Sequence, residues 1–175
     1  MKIVVMKFGG TSVSNVKEIT NVANIISKHY KKNKIVVVLS AMSGVTNELQ
    51  SYIDEVGCPS SMETDLIITS GEQVTIGLLS MILNKEGIKS LPLLGWQIPI
   101  ITDESHERGR ILNIDNKSIH HHFKFCDVIV LAGFQGFGVA VFLANFTEGY
   151  SIVKEVNAYF YFVTILTLVT GTIFV

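Results

Sequence analysis

The stretch IVVMKFGG at residues 3–10 decides the fold class. Its first four residues are apolar and mostly β-branched, which is typical of a strand buried on both faces, and the Gly-Gly pair that follows is typical of a tight turn. Apolar residues then recur at helical spacing over residues 16–26, and Asn15 and Glu18 have the spacing of an N-terminal capping box. We therefore predict a strand, a turn and a helix that ends near residues 30–31.

The same apolar pattern occurs twice more along the chain. Residues 35–39 (IVVVL) run into the small residues SAMSG at 40–44, before a second helix that should begin near Thr46. Residues 128–132 (VIVLA) form a third buried run, which ends at GFQG at 133–136. Strand, helix and strand in this order indicate parallel pairing, and ligands of open α/β sheets bind at the carboxyl ends of the strands.

These repeats predict an α/β fold, a three-layer open and mostly parallel sheet with helices on both faces. Weaker patterns lie between the strong ones. They predict a long helix over 66–83, short strands over 90–94 and 98–102 on either side of Gly95, a candidate strand over 111–114 and a short helix over 116–123.

Composition narrows the functional classes. The chain has 175 residues, of which 48% are hydrophobic, so it can form a globular core. Its net charge is −1 and its longest basic run is Lys31-Lys32, which argues against a nucleic acid partner. Cys58 and Cys126 lack metal-ligand spacing and the N-terminal apolar run is too short for a signal peptide, so we predict reduced thiols and a cytoplasmic location.

The hexapeptide KFGGTS at residues 7–12 has the composition of a phosphate-binding turn. Backbone N–H groups at a glycine turn can approach phosphate oxygens closely, while Lys7 offsets their charge. The alternative is an ordinary strand-ending turn with a surface lysine and a Ser/Thr cap. A Walker A loop is disfavoured, because here the lysine precedes the glycines.

Three ordered motifs make the chain similar to a known family. KFGGTSV at 7–13, VVVLSAMSGVTN at 36–47 and TSGEQ at 69–73 resemble the aspartokinases, and the similarity continues through GWQIPIITD at 95–103 and VIVLAGFQG at 128–136. The resemblance implies the amino-acid kinase fold, which this chain would form incompletely. It also implies ATP-dependent phosphorylation of the L-aspartate side chain to 4-phospho-L-aspartate, at the entry to lysine, threonine and methionine biosynthesis. Related kinases of carbamate, glutamate or nucleoside monophosphates are the alternatives within this fold.

The resemblance also implies roles for residues of the first motif. Lys7 would contact and stabilise the transferred phosphoryl group, and it would bind the phosphates of ATP together with Gly9, Gly10, Thr11 and Ser12. Mg²⁺ would be held by the nucleotide, with no dedicated metal site in the protein. Phosphoryl transfer requires mainly positioning and charge stabilisation, so such a set of residues is chemically sufficient.

Aspartate would be held by residues of the second and third motifs. By the resemblance, Ser40 and Thr46 help to hold the substrate, and Glu72 pairs with its α-amino group, a role that suits a carboxylate that only accepts hydrogen bonds. The alternative for Ser40 and Thr46 is to form a turn or cap a helix, and the alternative for Glu72 is an exposed helical position.

Two further features have structural explanations. The consecutive histidines at 120–122 point in different directions on a helix and lack metal-ligand spacing, so we predict no metal site there. Trp96 lies between two strand-like runs, where a packed aromatic side chain is the usual arrangement.

The sequence departs from the family after residue 136. Aspartokinases continue there into a GRGGSD-like segment, whereas residues 137–142 read FGVAVF. We therefore divide the chain into a family-like part at 1–136 and a divergent hydrophobic tail at 137–175. Residues 156–175 contain no charge and are long enough to span a bilayer, although a frameshifted or truncated reading frame explains them better than a membrane anchor. The departure leaves a non-catalytic remnant, which binds a ligand or a partner chain, as the alternative to an active kinase.

Overall fold

A computed structural model describes residues 2–57, 61–98, 100–102 and 111–133 of the chain. The helices and strands follow the order that the sequence predicts. The strands are β1 (Lys2–Phe8), β2 (Asn33–Leu39), β3 (Ser90–Leu93), β4 (Ile100–Thr102), β5 (Ile111–Ile114) and β6 (Val128–Ala132), and the helices are α1 (Val16–Ser27), α2 (Val45–Val56), α3 (Ser61–Ile68), α4 (Ser70–Lys85) and α5 (Asn116–His122). A 3-10 turn at Gly10–Val13 separates β1 from α1.

Four strands form one parallel sheet in the order β1-β2-β6-β3. Strand β2 lies between β1 and β6, so the three strongest apolar runs of the sequence are neighbours, with Val36 pairing with Val5 on one side and Ile129 on the other. Strands β4 and β5 form a separate antiparallel pair. Parallel pairing brings the carboxyl ends of β1, β2 and β6 to one edge of the sheet.

Side chains of each strand alternate between two cores, which lie on opposite faces of the sheet. Helices α1 and α4 cover one face, where Val4, Val37 and Val130 are buried with Ile26 and Leu79. The other face is covered by α5 and β4, through the residues Ile119, Phe123 and Ile100. The described residues therefore form three layers, which confirms the predicted α/β architecture.

The predicted cap of α1 is confirmed in part. The Asn15 side chain accepts a hydrogen bond from the Glu18 N–H at 3.0 Å, as in a capping box. The Glu18 carboxylate instead accepts from Asn21 Nδ2 at 3.0 Å. The helix ends at Ser27, before the predicted residues 30–31, because the chain already turns toward β2, and the Asn33 side chain secures this turn by donating to the carbonyl of His29.

The single helix predicted over 66–83 is wrong in detail, because the structure forms α3 and α4 with a break at Thr69. The Thr69 hydroxyl donates to the carbonyl of Asp65 at 2.9 Å, and the Ser70 hydroxyl donates to that of Ile67 at 2.7 Å. The apolar spacing continues through the break, so periodicity does not detect it. The stretch Glu63–Lys85 is long and apolar enough to cross a membrane by length and composition, but half of it is buried in the fold, as in the core helix of a soluble protein.

The two strands predicted around Gly95 are confirmed as β3 and β4, but they enter different sheets. Strand β3 pairs with β6 in the parallel sheet, and β4 pairs with β5. Sequence patterns identify strands locally, whereas the choice of partner depends on contacts distant along the chain.

Candidate functional site

Three loops and the N-terminal turn of α4 meet at the carboxyl edge of the sheet, around residues 39–41. A Cβ atom built at Gly71 would lie 2.8 Å from the Cβ of Ala41, and one built at Gly10 would lie 3.1 Å from its carbonyl oxygen. A Cβ at Gly133 would lie 2.7 Å from the carbonyl oxygen of Leu39, which also accepts the Gly133 N–H. We call residues 40–44, between β2 and α2, the β2 loop. The absence of a side chain at these glycines lets the loops after β1 and β6 and the start of α4 approach it.

The β2 loop itself turns at Gly44, whose φ of 87° lies in the left-handed region that favours glycine. The Val45 N–H donates to the carbonyl of Met42, and the Glu48 N–H donates to that of Gly44. Gly44 therefore occupies the N-cap position of α2, where no side chain caps the helix. This geometry excludes the alternative that Ser40 or Thr46 serves as the cap.

Glu72 lies in the first turn of α4 and is only 3% exposed. Its Oε1 accepts a hydrogen bond from the Ala41 N–H at 3.2 Å, so the carboxyl group is tied to the β2 loop. Its Oε2 is buried and has no hydrogen-bond partner among the residues that the structure describes. Buried polar atoms are nearly always paired in proteins, so an unpaired carboxyl oxygen at a loop-lined edge indicates a position for a ligand donor. The alternative of an exposed helical glutamate is wrong.

Burial raises the pKa of Glu72 from its usual value of 4.5 to about 7. Desolvation disfavours the charged form, and the backbone N–H groups of Glu72 and Ala41 offset this effect only partly. The carboxyl group therefore changes its charge near neutral pH, where an arriving cation would stabilise the ionised form.

Lys7 is exposed near the end of β1 and lies on the same face of the sheet as Val5. The backbone is extended at Gly9 and then enters the 3-10 turn, in which the Ser12 N–H donates to the Gly9 carbonyl at 2.9 Å. The first N–H groups of a helical turn have no partner within the turn, and they are available to an anion. The Ser40 N–H donates to the Phe8 carbonyl, so this turn adjoins the β2 loop.

Several hydroxyl groups lie along the same edge. Within the described part of the chain, none of them is hydrogen-bonded to another residue, whereas the Thr69, Ser70 and Thr75 hydroxyls of the nearby helices all donate to carbonyl groups. The residues concerned are Thr11, Ser12, Ser40, Ser43 and Thr46, of which Ser40 is half-buried and the others are exposed. The predicted site residues of the first two motifs thus present polar groups at one edge, next to Glu72.

The other candidate features do not form a site in the described residues. No group of three or more His, Cys, Asp or Glu side chains comes together there. The His121 ring instead makes edge contacts with His122 and Phe125. Burial raises the pKa of the Cys126 thiol to about 11, so this cysteine is an unreactive core residue. Trp96, predicted as a packed aromatic side chain, is 53% exposed and is therefore not buried in the core.

Some predictions concern residues outside those described. They are the thiol of Cys58, the end of the third loop at 134–136, the boundary at 136, the hydrophobic tail at 137–175 and its candidate membrane segment at 156–175. These stay predictions.

Three residues without a predicted role hold the elements at this edge of the sheet together. Ala41 supplies the backbone donor to Glu72, and Gly71 and Gly133 permit the close approach of their segments to the β2 loop. All three lie inside the quoted motifs. The sequence shows that these positions are small residues within the motifs. It does not show the contacts that require them, because those contacts join segments distant along the chain.

Comparison with known proteins places these motifs in context. The model of the amino acid kinase family matches residues 2–153. An aspartokinase of Geobacillus stearothermophilus is 44% identical over 138 residues, a match that covers 78% of this chain and 34% of that protein. The chain thus spans about a third of the length of the curated relatives it matches.

Solved structures show the same fold. The crystal structure of aspartate kinase from Synechocystis has a TM-score of 0.63 and 36% identity, and the match covers 77% of this chain and 22% of that one. Aspartokinase III of E. coli in complex with aspartate and ADP has a TM-score of 0.64, with 79% of this chain and 42% of that chain covered. At 18% identity the second likeness concerns the fold alone.

Proposed function

The chain belongs to the amino acid kinase family, and from this premise we propose that its carboxyl sheet edge is the aspartate-binding part of an ATP-dependent aspartokinase. The reaction would transfer the γ-phosphoryl group of ATP to the side-chain carboxylate of L-aspartate, giving 4-phospho-L-aspartate for lysine, threonine and methionine biosynthesis. The observation that supports this best is the buried Glu72 carboxyl group with its unpaired Oε2, beside the loops of two motifs shared with aspartokinases.

Glu72 would select an amino acid. An ionised carboxylate accepts hydrogen bonds and attracts a positive charge, so the ammonium group of aspartate fits the unpaired Oε2. The Ser40 and Thr46 hydroxyls, which lie on the adjoining loop and helix turn, would donate to the substrate carboxylates. Carbamate and nucleoside monophosphates carry no ammonium group, so this pairing favours aspartate over those acceptors.

The turn after β1 would bind the nucleotide phosphates. Lys7 supplies a positive charge, and the backbone of Gly9 and Gly10, with the Thr11 and Ser12 hydroxyls, supplies hydrogen-bond donors on the next loop along the sheet from the aspartate site. Mg²⁺ would accompany ATP and neutralise the phosphates. These groups hold the two reactants in line and stabilise the transferred charge, and no covalent enzyme intermediate is required.

A second candidate is a non-catalytic protein that binds aspartate without turnover. Residues 137–142 read FGVAVF where aspartokinases have a GRGGSD-like segment, and the match covers about a third of the relatives' length. The same residues would then hold a ligand. The resemblance also implies that intact relatives form oligomers, and assembly of this chain would not depend on turnover. For either candidate we propose a cytoplasmic location.

Trapping of aspartyl phosphate by hydroxylamine, with ADP release followed in parallel, tests the kinase proposal on the full chain. We expect hydroxamate that depends on both ATP and L-aspartate, and a loss of about a hundredfold or more in Lys7→Met, the size seen when one group that stabilises transferred charge is removed. Glu48→Gln, which changes an exposed carboxylate on α2, serves as the matched control and should keep full activity. Aspartate binding without hydroxamate would favour the second candidate, and absence of both from folded protein would contradict the two proposals.

A further inference from the structure

We propose that Glu72 carries a proton in the ligand-free protein and releases it when an ammonium group binds at Oε2, so that binding of aspartate is coupled to proton release. The inference rests on the proposed function, because it deepens the role of the same carboxyl group. The protonation of Glu72 in the free protein is testable without any ligand.

The geometry around Glu72 supports a neutral carboxyl group. Glu72 is only 3% exposed, and the hydrogen bonds that reach its carboxyl group come from backbone N–H groups alone, those of Ala41 at Oε1 and of Glu72 itself. Among the described residues, Oε2 has no partner. An ionised carboxylate at such a depth would leave a charged oxygen without a partner, which is far more costly than leaving a neutral hydroxyl group there. No basic side chain of the described residues is in salt-bridge contact with Glu72.

Charged groups on the surrounding elements do not replace that missing partner. The β2 loop, the 3-10 turn, β3 and β6 contain no ionisable residue. No charged side chain is among the main causes that set the pKa of Glu72, which are burial and two backbone N–H groups. The charged residues of the adjoining elements are Lys2 and Lys7 on β1, Lys17 and Glu18 on α1, Lys34 on β2, Glu48, Asp54 and Glu55 on α2, Glu63 and Asp65 on α3, and Lys85 on α4 itself.

The proton balance is simple. The Oε2–H bond of the neutral carboxyl group breaks, the proton passes to the solvent buffer, and the ligand ammonium keeps its own protons and pairs with the new carboxylate. Aspartate itself does not change its charge between about pH 6 and 8, because its carboxyl groups titrate well below this range. The amino group of the free amino acid titrates well above it, since the neighbouring carboxylate stabilises the ammonium form. Any proton released in that window therefore comes from the protein.

Calorimetric titration of the full chain with L-aspartate, in two buffers of different ionisation enthalpy at the same pH, counts the released protons. With a pKa of about 7 in the free protein, we expect about 0.9 proton per aspartate bound at about pH 6 and about 0.1 at about pH 8. The affinity should be about tenfold weaker at the lower pH. Glu72→Gln should bind with the same weak affinity at both, whereas Glu48→Gln should keep the pH dependence.

A second measurement follows the carboxyl carbon of Glu72 by NMR in the ligand-free, glutamate-labelled chain, with Glu72→Gln used to identify its signal. We expect a midpoint near pH 7 that falls by more than about two units when aspartate is added, as release of nearly one proton at about pH 6 requires. A midpoint near the usual 4.5, or aspartate binding without proton release at about pH 6, would overturn the inference while leaving aspartate recognition intact. Failure of aspartate to bind a chain in which Glu72 titrates near 7 would instead overturn the proposed function and, with it, the coupling.

Discussion

The two edges of the parallel sheet satisfy their polar groups to different degrees. At the amino edge, Lys34 Nζ donates to Asp127 Oδ1 at 2.8 Å and to the Cys126 carbonyl at 2.7 Å. At the carboxyl edge, Glu72 Oε2 is buried without a partner, and the Thr46 hydroxyl forms no hydrogen bond within the described residues. Both edges are polar, so polarity alone does not distinguish them. The amino edge is completed by the chain itself, whereas the carboxyl edge leaves polar groups of the described residues unpaired, which is what our proposed aspartate site requires.

A second cluster at the amino edge strengthens this contrast. The Asn84 side chain accepts from the Ser90 N–H and donates to the Ser90 carbonyl, and the Ser80 and Ser90 hydroxyls lie 2.8 Å apart. This cluster joins the end of α4 to the start of β3. These groups are paired with one another, so we interpret the cluster as a stabilising contact between α4 and β3. Its residue types nevertheless resemble those of the carboxyl edge.

The largest effect should come from breaking the close approach of α4 to the β2 loop. In Gly71→Ala, the new Cβ would lie 2.8 Å from that of Ala41 and 3.1 Å from Val45 Cγ1. We expect a loss of about 1–3 kcal/mol in the free energy of unfolding and loss of aspartate binding, because the collision displaces the Ala41 N–H from Glu72. Urea unfolding and calorimetric titration measure the two quantities.

Gly77→Ala is the matched control, because Gly77 lies on the same helix with nothing within 4 Å of its added Cβ. It should stabilise the chain by about 0.5–1 kcal/mol through helix propensity. Equal stability changes in the two variants would show that the contact at Ala41 is not tight in solution.

The next largest effect concerns Glu72 and pH. Between its usual pKa of 4.5 and its folded pKa of about 7, the folded chain holds a proton that the unfolded chain has released, so the free energy of unfolding falls as pH rises through this window. Glu72→Gln does not titrate, and it should exceed the wild type in stability above about pH 7 by at most about 3 kcal/mol, since one pKa unit corresponds to about 1.4 kcal/mol.

Urea unfolding of both proteins at about pH 5 and 8 tests this. The stability gap should open as pH rises and be small in acid. A gap that is the same at both values would mean that the amide changes packing, and that Glu72 is not poised near neutrality. Glu48→Gln should behave as the wild type at both, because the Glu48 carboxylate is exposed and, among the described residues, accepts a hydrogen bond from the Tyr52 hydroxyl alone.

The smallest effect is expected at the amino edge. Lys34→Met removes the ion pair with Asp127. Because both side chains of this pair are partly exposed, we expect a loss of only about 1 kcal/mol in the free energy of unfolding. Aspartate affinity should stay unchanged, because this edge lies at the opposite end of β2 from the loop that binds Glu72. A large loss of aspartate affinity in a folded Lys34→Met chain would contradict the claim that the amino edge takes no part in aspartate binding.

The sequence predicts the fold better than it predicts the site. Runs such as 35–39 and 128–132 are apolar enough to identify buried strands, and strand, helix and strand in order imply parallel pairing. The break at Thr69 was missed because apolar spacing continues through it. The close contact between Gly71 and Ala41, which are 30 positions apart, is not predicted, because a contact between distant segments leaves no local pattern in the sequence.

The family motifs predict Glu72 as a site residue, yet neither its burial nor its unpaired oxygen follows from the motif. On an isolated helix, a glutamate in the first turn is usually exposed. Its burial arises because α4 begins beneath the β2 loop, which is a tertiary arrangement. The resemblance therefore predicts a role for Glu72, while its burial and its unpaired oxygen are visible only in the structure.

Recognition of an ammonium group by Glu72 is the central claim, and it is tested most directly by titrating the full chain with L-aspartate and with succinate at about pH 8, where Glu72 is mostly ionised. Succinate has both carboxylates but no amino group. We predict that L-aspartate binds at least about tenfold more tightly than succinate, as expected for a charge-assisted hydrogen bond, and that Glu72→Gln removes most of this difference. Equal affinities for the two ligands in the wild type, or full discrimination in the variant, would contradict the account.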